Sequence, residues 1–424
     1  GAGGRGAGGR SACERAKRQD GSVTEARSRI VIAAGGTAGH VVPALAVAGA
    51  LRAEGARVAF VGGDRAEAEL VPAAGFELSR IAVEGMSRTN PLRAARALWR
   101  AGMAFLKARS MLRELRPDAV MGGGGYVAGP VGLAAVTLRI PLVVTEADSH
   151  LGITNRVLAR GARRVCLAFP LAGRDGERYR VTGRPVGPAQ ADRAEARGRF
   201  GLAEGRDCVL VFGGSLGARS INLAAIEAFA GAISADATVA PSKLPDGAGT
   251  PAVARSGATA PATATSGATP GASAIGATFD VLHVAGRRDY AELVARGASR
   301  EGYDLREYLD QDEFGDALAA ADLVVARAGG SVWEIAASGT PAILVPYPHA
   351  AGDHQTENAR WMERAGAAVV IGDSELDAGR LAKEVGELLG DRARLAGMAA
   401  ASHGLARPDA AREIAGELLA AAGA

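Results

Sequence analysis

The chain has 424 residues, of which 48% are hydrophobic, 22% charged and only 4% aromatic, the profile of a soluble α/β protein long enough for two domains. Its formal net charge of +3, with no Lys/Arg block interleaved with aromatics, argues against a nucleic-acid partner. The three cysteines, Cys13, Cys166 and Cys208, match no zinc or disulfide spacing, as expected of a reducing cytoplasm, and no apolar run reaches the roughly 18 residues of a spanning helix.

Residues 1–28 combine glycine and charge without an apolar core and are expected to form a disordered tail. Gly1, Gly3 and Gly6 spell G-x-G-x-x-G, but neither a strand nor a helix flanks them, so the match is accidental. From Arg29 the chain alternates short β-branched runs with helical stretches: IVIAA, RVAFVGG, ELSRIAV, DAVMG, IPLVVTE and RRVCLAF. Strand and helix in turn imply a parallel sheet wound on both faces, here a first domain over 29–188. Within it, residues 91–116 read as a helix with two apolar stripes at about 100° per residue. Leu98, Phe105 and Leu112 make a core stripe. Leu92, Trp99, Met103 and Leu106 lie nearly opposite, beside Arg93, Arg96, Arg100 and Lys107, a pattern suited to shallow insertion among anionic lipids.

The stretch VTGRPVGPAQADRAEARGRFGL suits a linker with no strand of its own. The alternation restarts at Asp207 with CVLVFGGSLGARSINLAAIEAF and continues through DVLHVAG, ADLVVARAGG, PAILVPYP and AAVVIG, which makes 189–424 a second doubly wound domain. Residues 235–278 are almost all Ala, Thr, Gly, Pro and Ser and are expected to be a disordered insertion.

Ligands of open α/β sheets bind at the carboxyl ends of the strands. Four patches fall there in order: GGTAGHVVP from Gly35, GGYVAGP from Gly124, GGSLGARSIN from Gly213, and RAGGSVWEIAASGTPAILVPYPHAAGDHQTENA from Arg327. A glycine loop that opens a helix brings backbone N–H groups and the helix dipole to an anion. Together the four resemble the MurG family, which transfers N-acetylglucosamine from UDP-N-acetylglucosamine to lipid I and so makes lipid II for peptidoglycan. The resemblance covers Arg29 to about residue 400. It implies a GT-B-type fold of two Rossmann-like α/β domains facing across a cleft, with acceptor and membrane on the N-terminal domain and UDP-sugar on the C-terminal one. It also implies a peripheral enzyme of the cytoplasmic face of the membrane, needed for cell shape and division.

Position by position, the resemblance implies that Thr37, Ala38 and Gly39 line the donor-sugar side and that Ser215 meets the UDP phosphates. Glu334 would accept from both ribose hydroxyls, Gln355 would bond the sugar, and Leu309 would offer its backbone to the uracil edge. Gly330 and Ser331 belong to the same donor loop, and Asp148 stands at a sugar-binding position. The chain departs from the family there, since Glu146-Ala147-Asp148 replaces Glu-Gln-Asn. Gly187 also stands where an Arg follows the G-x-P-V turn, with Arg184 three residues earlier. In an inverting transfer a base must take the acceptor's proton, and His40 is the candidate.

Other readings of these residues are structural. Glu334 could serve its helix dipole, and Ser215 could cap its helix. His349, Asp353 and His354 lack a clear further partner for a metal. Asp310-Gln311-Asp312 spells D-x-D but reads as a solvated turn. No metal or cofactor is therefore expected. A dinucleotide-dependent oxidoreductase is excluded because no G-x-G-x-x-G with a following acidic ribose ligand comes after a strand. A transferase acting on another lipid, such as diacylglycerol, is the remaining alternative.

Overall fold

The computed structural model describes residues 28–82, 91–187, 192–214, 217–230, 279–297 and 301–423, without the side chains of residues 91–99, 101 and 351. The tail expected over 1–28 lies outside the described residues except for Ser28, which is buried and accepts the Arg57 N–H. The expected insertion, 235–278, lies wholly outside them. The chain divides into two compact units: one runs to Gly187 and takes back the segment from Arg407, and the other spans 188–406.

The first unit contains β1 (Arg29–Ala33), α1 (Ala38–Ala53), β2 (Arg57–Gly62), α2 (Ala66–Ala73), β3 (Glu77–Arg80), α3 (Pro91–Leu115), β4 (Ala119–Gly122), α4 (Gly125–Thr137), β5 (Leu142–Glu146), α5 (Ile153–Leu158), β6 (Arg164–Leu167) and β7 (Tyr179–Val181). The strands order as β3-β2-β1-β4-β5-β6-β7, all parallel, with Ile30 of β1 registered on Val58 of β2 and Ala119 of β4. Order reverses between β1 and β4, and their carboxyl ends diverge into separate loops, the usual ligand crevice of such a sheet.

The central strands are buried on both faces and therefore read as continuous apolar runs. One face packs α1 through Val41, Ala44, Val47, Ala48 and Leu51. The other packs α3 and α4, with Ala104, Ala108, Leu112, Val127 and Val131 in the core. Leu112 and, partly, Phe105 thus lie on the core side of α3, whereas Met103 and Leu106 are 51% and 58% exposed. The remaining residues assigned to the two stripes, Leu92, Trp99, Leu98, Arg93 and Arg96, have side chains outside the described set.

The second unit contains α6 (Arg193–Arg199), β8 (Asp207–Phe212), α7 (Arg219–Phe229), β9 (Phe279–Val284), α8 (Tyr290–Ala295), β10 (Tyr303–Arg306), α9 (Gln311–Ala320), β11 (Leu323–Ala326), α10 (Val332–Ser338), β12 (Ala342–Leu344), α11 (His354–Arg364), β13 (Ala368–Val370), α12 (Ala378–Gly390) and α13 (Arg392–Leu405). Its parallel sheet orders as β10-β9-β8-β11-β12-β13, so the switch point falls between β8 and β11. Beneath β9 runs a buried polar chain. The His283 Nδ1 is 2.7 Å from the Tyr303 hydroxyl and its Nε2 is 3.1 Å from Asn222 Oδ1, while Asn222 Nδ2 donates to the Ala285 carbonyl and to Asp289. Burial pushes the His283 imidazole down to about 4, so it is a neutral structural histidine.

The last helix, α14 (Ala410–Ala422), departs from the expected boundary. Although it follows the second domain in sequence, Ile414, Ala415, Leu418 and Ala421 are buried in the core that α1 forms with the first sheet. Glu417 fixes it further, meeting Arg164 of β6 at 2.9 Å and Arg180 of β7 at 3.1 Å. Its apolar face is complementary to α1, which a linear division of the chain at residue 188 does not reveal.

Candidate functional site

In the first unit the loop after β1 rises from the sheet and turns into α1. Gly35 is held against the loop after β4, because Gly125 has φ +74° and a Cβ on it would overlap the Gly35 carbonyl oxygen. Only glycine gives that approach and that backbone region without strain. Glu67, fully buried in the first turn of α2, pins the same loop from beneath: Oε2 accepts from the Gly36 N–H at 2.8 Å, and Oε1 accepts from the Gly63 N–H and the Tyr126 hydroxyl, each at 2.8 Å. Burial opposes the charge. The hydrogen bonds from Gly36, Tyr126 and Gly63 outweigh it and hold the carboxyl below its ordinary range.

Above this base stand Thr37, Ala38 and Gly39, all exposed, and the half-buried His40 in the first turn of α1. His40 lines a cavity with Gly39, Met121, Gly123, Cys166 and Arg184. Thr37 Oγ1 lies 3.4 Å from its Nδ1. Burial first, and then the Arg184 cation, lower the imidazole below its usual 6.5, against the opposing pull of Asp148 and Glu67. Both effects favour the uncharged imidazole. Burial likewise pushes the Cys166 thiol up to about 12, which leaves it inert. Asp148 is half-buried in the loop after β5, and its N–H donates to Glu146 Oε1 at 3.2 Å. Glu146 organises that loop by also accepting from Gly152 N–H and Asn155 Nδ2. Burial raises the Glu146 carboxyl.

In the second unit the loop after β8 repeats the first device. Gly217, at φ +79°, has its Cα against the Ala285 carbonyl, which leaves no room for a Cβ. Ser215 within this loop lies outside the described residues. The loop ends of β8, β11, β12 and β13 are joined by one guanidinium. Arg327 donates to the Val345 and Pro346 carbonyls, both at 3.1 Å, to Asp373 Oδ1 at 2.6 Å and to Ser220 Oγ at 2.8 Å. Asn358 Nδ2 holds the Ala328 carbonyl at 3.0 Å.

On that frame sit the half-buried Gly330 and Ser331, with Glu334 in the first turn of α10. Gln355 of α11 accepts the Tyr347 N–H at 2.9 Å through Oε1, and its amide nitrogen faces Gly329. The structure thus brings Gln355 and the Gly329–Ser331 turn together. Leu309 is buried just before α9. Asp310 of the D-x-D caps α9, accepting the Glu313 N–H while Glu313 accepts its own N–H. Asp353 accepts from Thr356 Oγ1 at 2.6 Å.

Of the residues that shape both loop sets, Glu67 lies in no sequence motif, and Glu146 and Arg327 lie within motifs without a role of their own being read from them. Arg327 opens the longest motif, and only its position before two glycines hints at its clamp. Nothing local marks Glu67.

Residues 30–167 match the glycosyltransferase family 28 N-terminal domain, and residues 208–414 match the glycosyltransferase family 28 C-terminal domain. The UDP-N-acetylglucosamine–N-acetylmuramyl-(pentapeptide) pyrophosphoryl-undecaprenol N-acetylglucosamine transferase of Moorella thermoacetica is 40% identical over 91% of this chain and 97% of its own length. The protein of the same name from Halothermothrix orenii is 36% identical over 90% and 95%. The crystal structure of Acinetobacter baumannii MurG superposes with a TM-score of 0.63 at 27% identity, covering 92% of this chain and 99% of that one. The chain belongs to the MurG family. Its fold also resembles the calicheamicin glycosyltransferase CalG4, with a TM-score of 0.60 at 18% identity. As a MurG-family glycosyltransferase it builds its two glycine loops on the same device, a glycine against a neighbouring carbonyl.

Gly125→Ala should destabilise the first unit by about 1–3 kcal/mol from backbone strain alone, with added loss from the displaced Gly35 loop. Gly49→Ala, in α1 with no atom within 4 Å of the new Cβ, should be neutral or stabilising by up to about 1 kcal/mol. Urea unfolding of the two variants checks this contrast.

Proposed function

We propose that this chain transfers N-acetylglucosamine from UDP-N-acetylglucosamine to lipid I, the undecaprenyl-pyrophosphoryl N-acetylmuramyl-pentapeptide, giving lipid II. The observation that carries the reading is identity of 36–40% along nearly the whole of both chains with relatives named for that transfer. Diacylglycerol as acceptor is not favoured, because those relatives are named for the muramyl-pentapeptide acceptor.

The acceptor hydroxyl forms its bond to the anomeric carbon as the bond to UDP breaks on the opposite side, and its proton passes to a base. His40 is that base in this reading; its neutral imidazole in the first-unit cavity supports the role. Thr37, Ala38, Gly39 and Asp148 contact the substrates from the first unit. In the second, Ser215 and the start of α7 hold the diphosphate, where the helix dipole favours negative charge. Glu334 takes the ribose hydroxyls, Gln355 the sugar, Leu309 the uracil edge, and Gly330 and Ser331 complete the donor turn. The leaving diphosphate is stabilised by these N–H donors, without a metal or cofactor.

The acceptor's lipid requires a membrane face. Among the described residues no helix is long and apolar enough to cross a membrane. A peripheral attachment on the cytoplasmic face is supported by α3, whose Met103 and Leu106 are exposed beside Lys107, an arrangement suited to anionic lipid.

With radiolabelled UDP-N-acetylglucosamine, the protein should label lipid I and not diacylglycerol, in the presence of EDTA. His40→Ala should lower kcat about 10²- to 10⁴-fold with little change in UDP affinity; near-normal kcat would remove His40 as the base.

Glu334→Ala should weaken UDP binding by about 1.5–3 kcal/mol, the range for hydrogen bonds to a charged group. Calorimetry with 2′-deoxy-UDP gives the sharper result. The deoxy ligand should lose affinity for the parent protein but little more for the variant, and equal losses in both would leave Glu334 serving only its helix.

Reversing Arg93, Arg96 and Arg100 to Glu should abolish co-sedimentation with anionic vesicles, each basic residue being worth about 1 kcal/mol at such a surface. Transfer to membrane-bound acceptor should slow while transfer to a short-chain soluble analogue persists. Unchanged sedimentation would move the membrane face elsewhere.

A further inference from the structure

The chain leaving β7 turns back over the end of β6. The N–H groups of Thr182 and Gly183 both donate to the Leu167 carbonyl, at 3.0 and 3.3 Å, and Thr182 is buried. This turn delivers Arg184 into the cavity lined by His40. Arg184 is 8% exposed, and a guanidinium keeps its charge at any pH the protein meets. One arm, Nη2, donates to the Gly39 carbonyl at 2.8 Å, which is the oxygen of the peptide bond leading into His40. Among the described residues the Nε is buried without a hydrogen-bond partner, a costly arrangement unless the residue is held there for another reason.

We propose that Arg184 is a positioning residue for His40: its guanidinium grips the carbonyl of the Gly39–His40 peptide and stands as a fixed positive charge in the imidazole's cavity, so that the ring presents a lone pair to its substrate. The inference rests on His40 as the base. The grip fixes the first turn of α1, since the bonded carbonyl moves with the backbone that carries the imidazole. The charge acts on protonation. Around the ring, Arg184 disfavours the imidazolium, while Asp148 from the β5 loop and Glu67 from α2 favour it, and burial adds to the effect of Arg184. Without the guanidinium, burial alone would oppose the pull of the two carboxylates.

Two full-length variants separate grip from charge. Arg184→Gln keeps an amide that can donate to the Gly39 carbonyl but removes the charge; Arg184→Lys keeps the charge. Each is titrated by NMR with labelled imidazole, His40 being assigned through His40→Gln, and kcat/KM is followed against pH. In Arg184→Gln the His40 midpoint should rise by about half a pH unit or more, and the acidic limb of kcat/KM should rise with it. In Arg184→Lys the midpoint should stay near that of the parent. A midpoint unmoved in Arg184→Gln, or raised equally in both variants, would overturn the proposal. A midpoint that moves while the acidic limb stays put would uphold the electrostatic link to His40 but overturn His40 as the base. Should Arg184→Gln not fold, a raised midpoint in Arg184→Lys would by itself overturn the role of the charge, and an unraised one would support it.

Discussion

The first unit depends on one buried carboxylate. Glu67 carries a negative charge away from water, yet its two oxygens face two backbone N–H groups and a tyrosine hydroxyl rather than a cation. Neutral donors at about 2.8 Å replace the lost hydration, and because two of them are backbone groups from the loops after β1 and β2, satisfying the charge also fixes the path of the chain. The Gly35 loop is clamped between Glu67 below and Gly125 beside it. The position of His40 follows from that clamp.

The second unit meets the same architectural demand with the opposite charge. A parallel sheet sends every βα loop to one end, and the loops must be tied to each other as well as to their strands. Arg327 does this with four acceptors, two of them main-chain carbonyls. A carboxylate gathers N–H groups, whereas a guanidinium, which only donates, gathers carbonyls and other acceptor oxygens. Asp373 offsets part of the Arg327 charge, so the site rests on oriented backbone as much as on net charge.

Both sheets are legible in the sequence because their central strands are covered on both faces and must be apolar throughout. The two strands that escape it, β7 (YRV) and β10 (YDLR), stand at sheet edges. An edge strand is only partly covered, so its sequence carries no continuous apolar run. The glycine loops are legible for a related reason: close backbone approach admits only one residue type, and Gly125 and Gly217 each lie against a carbonyl. Glu67 and Arg184 are not, since Gly36 and Tyr126, which Glu67 ties together, and Gly39, which Arg184 holds, lie 31 or more residues away from them and no local pattern encodes such a pairing. Asp310 shows the converse. Its D-x-D spacing resembles a metal motif, but the residue is spent on a reciprocal cap with Glu313.

The return of α14 to the first core has a consequence for how the molecule is made. Ribosomal synthesis runs from the N-terminus, and domains generally fold as units while the chain emerges. Here the first sheet and α1 are complete more than 200 residues before the helix that covers them. Until Ile414, Ala415 and Leu418 arrive, part of the α1 face remains open to water, whereas the second unit has all its own strands and helices by residue 405. The N-terminal half is begun first and finished last, and its maturation waits on translation of its neighbour.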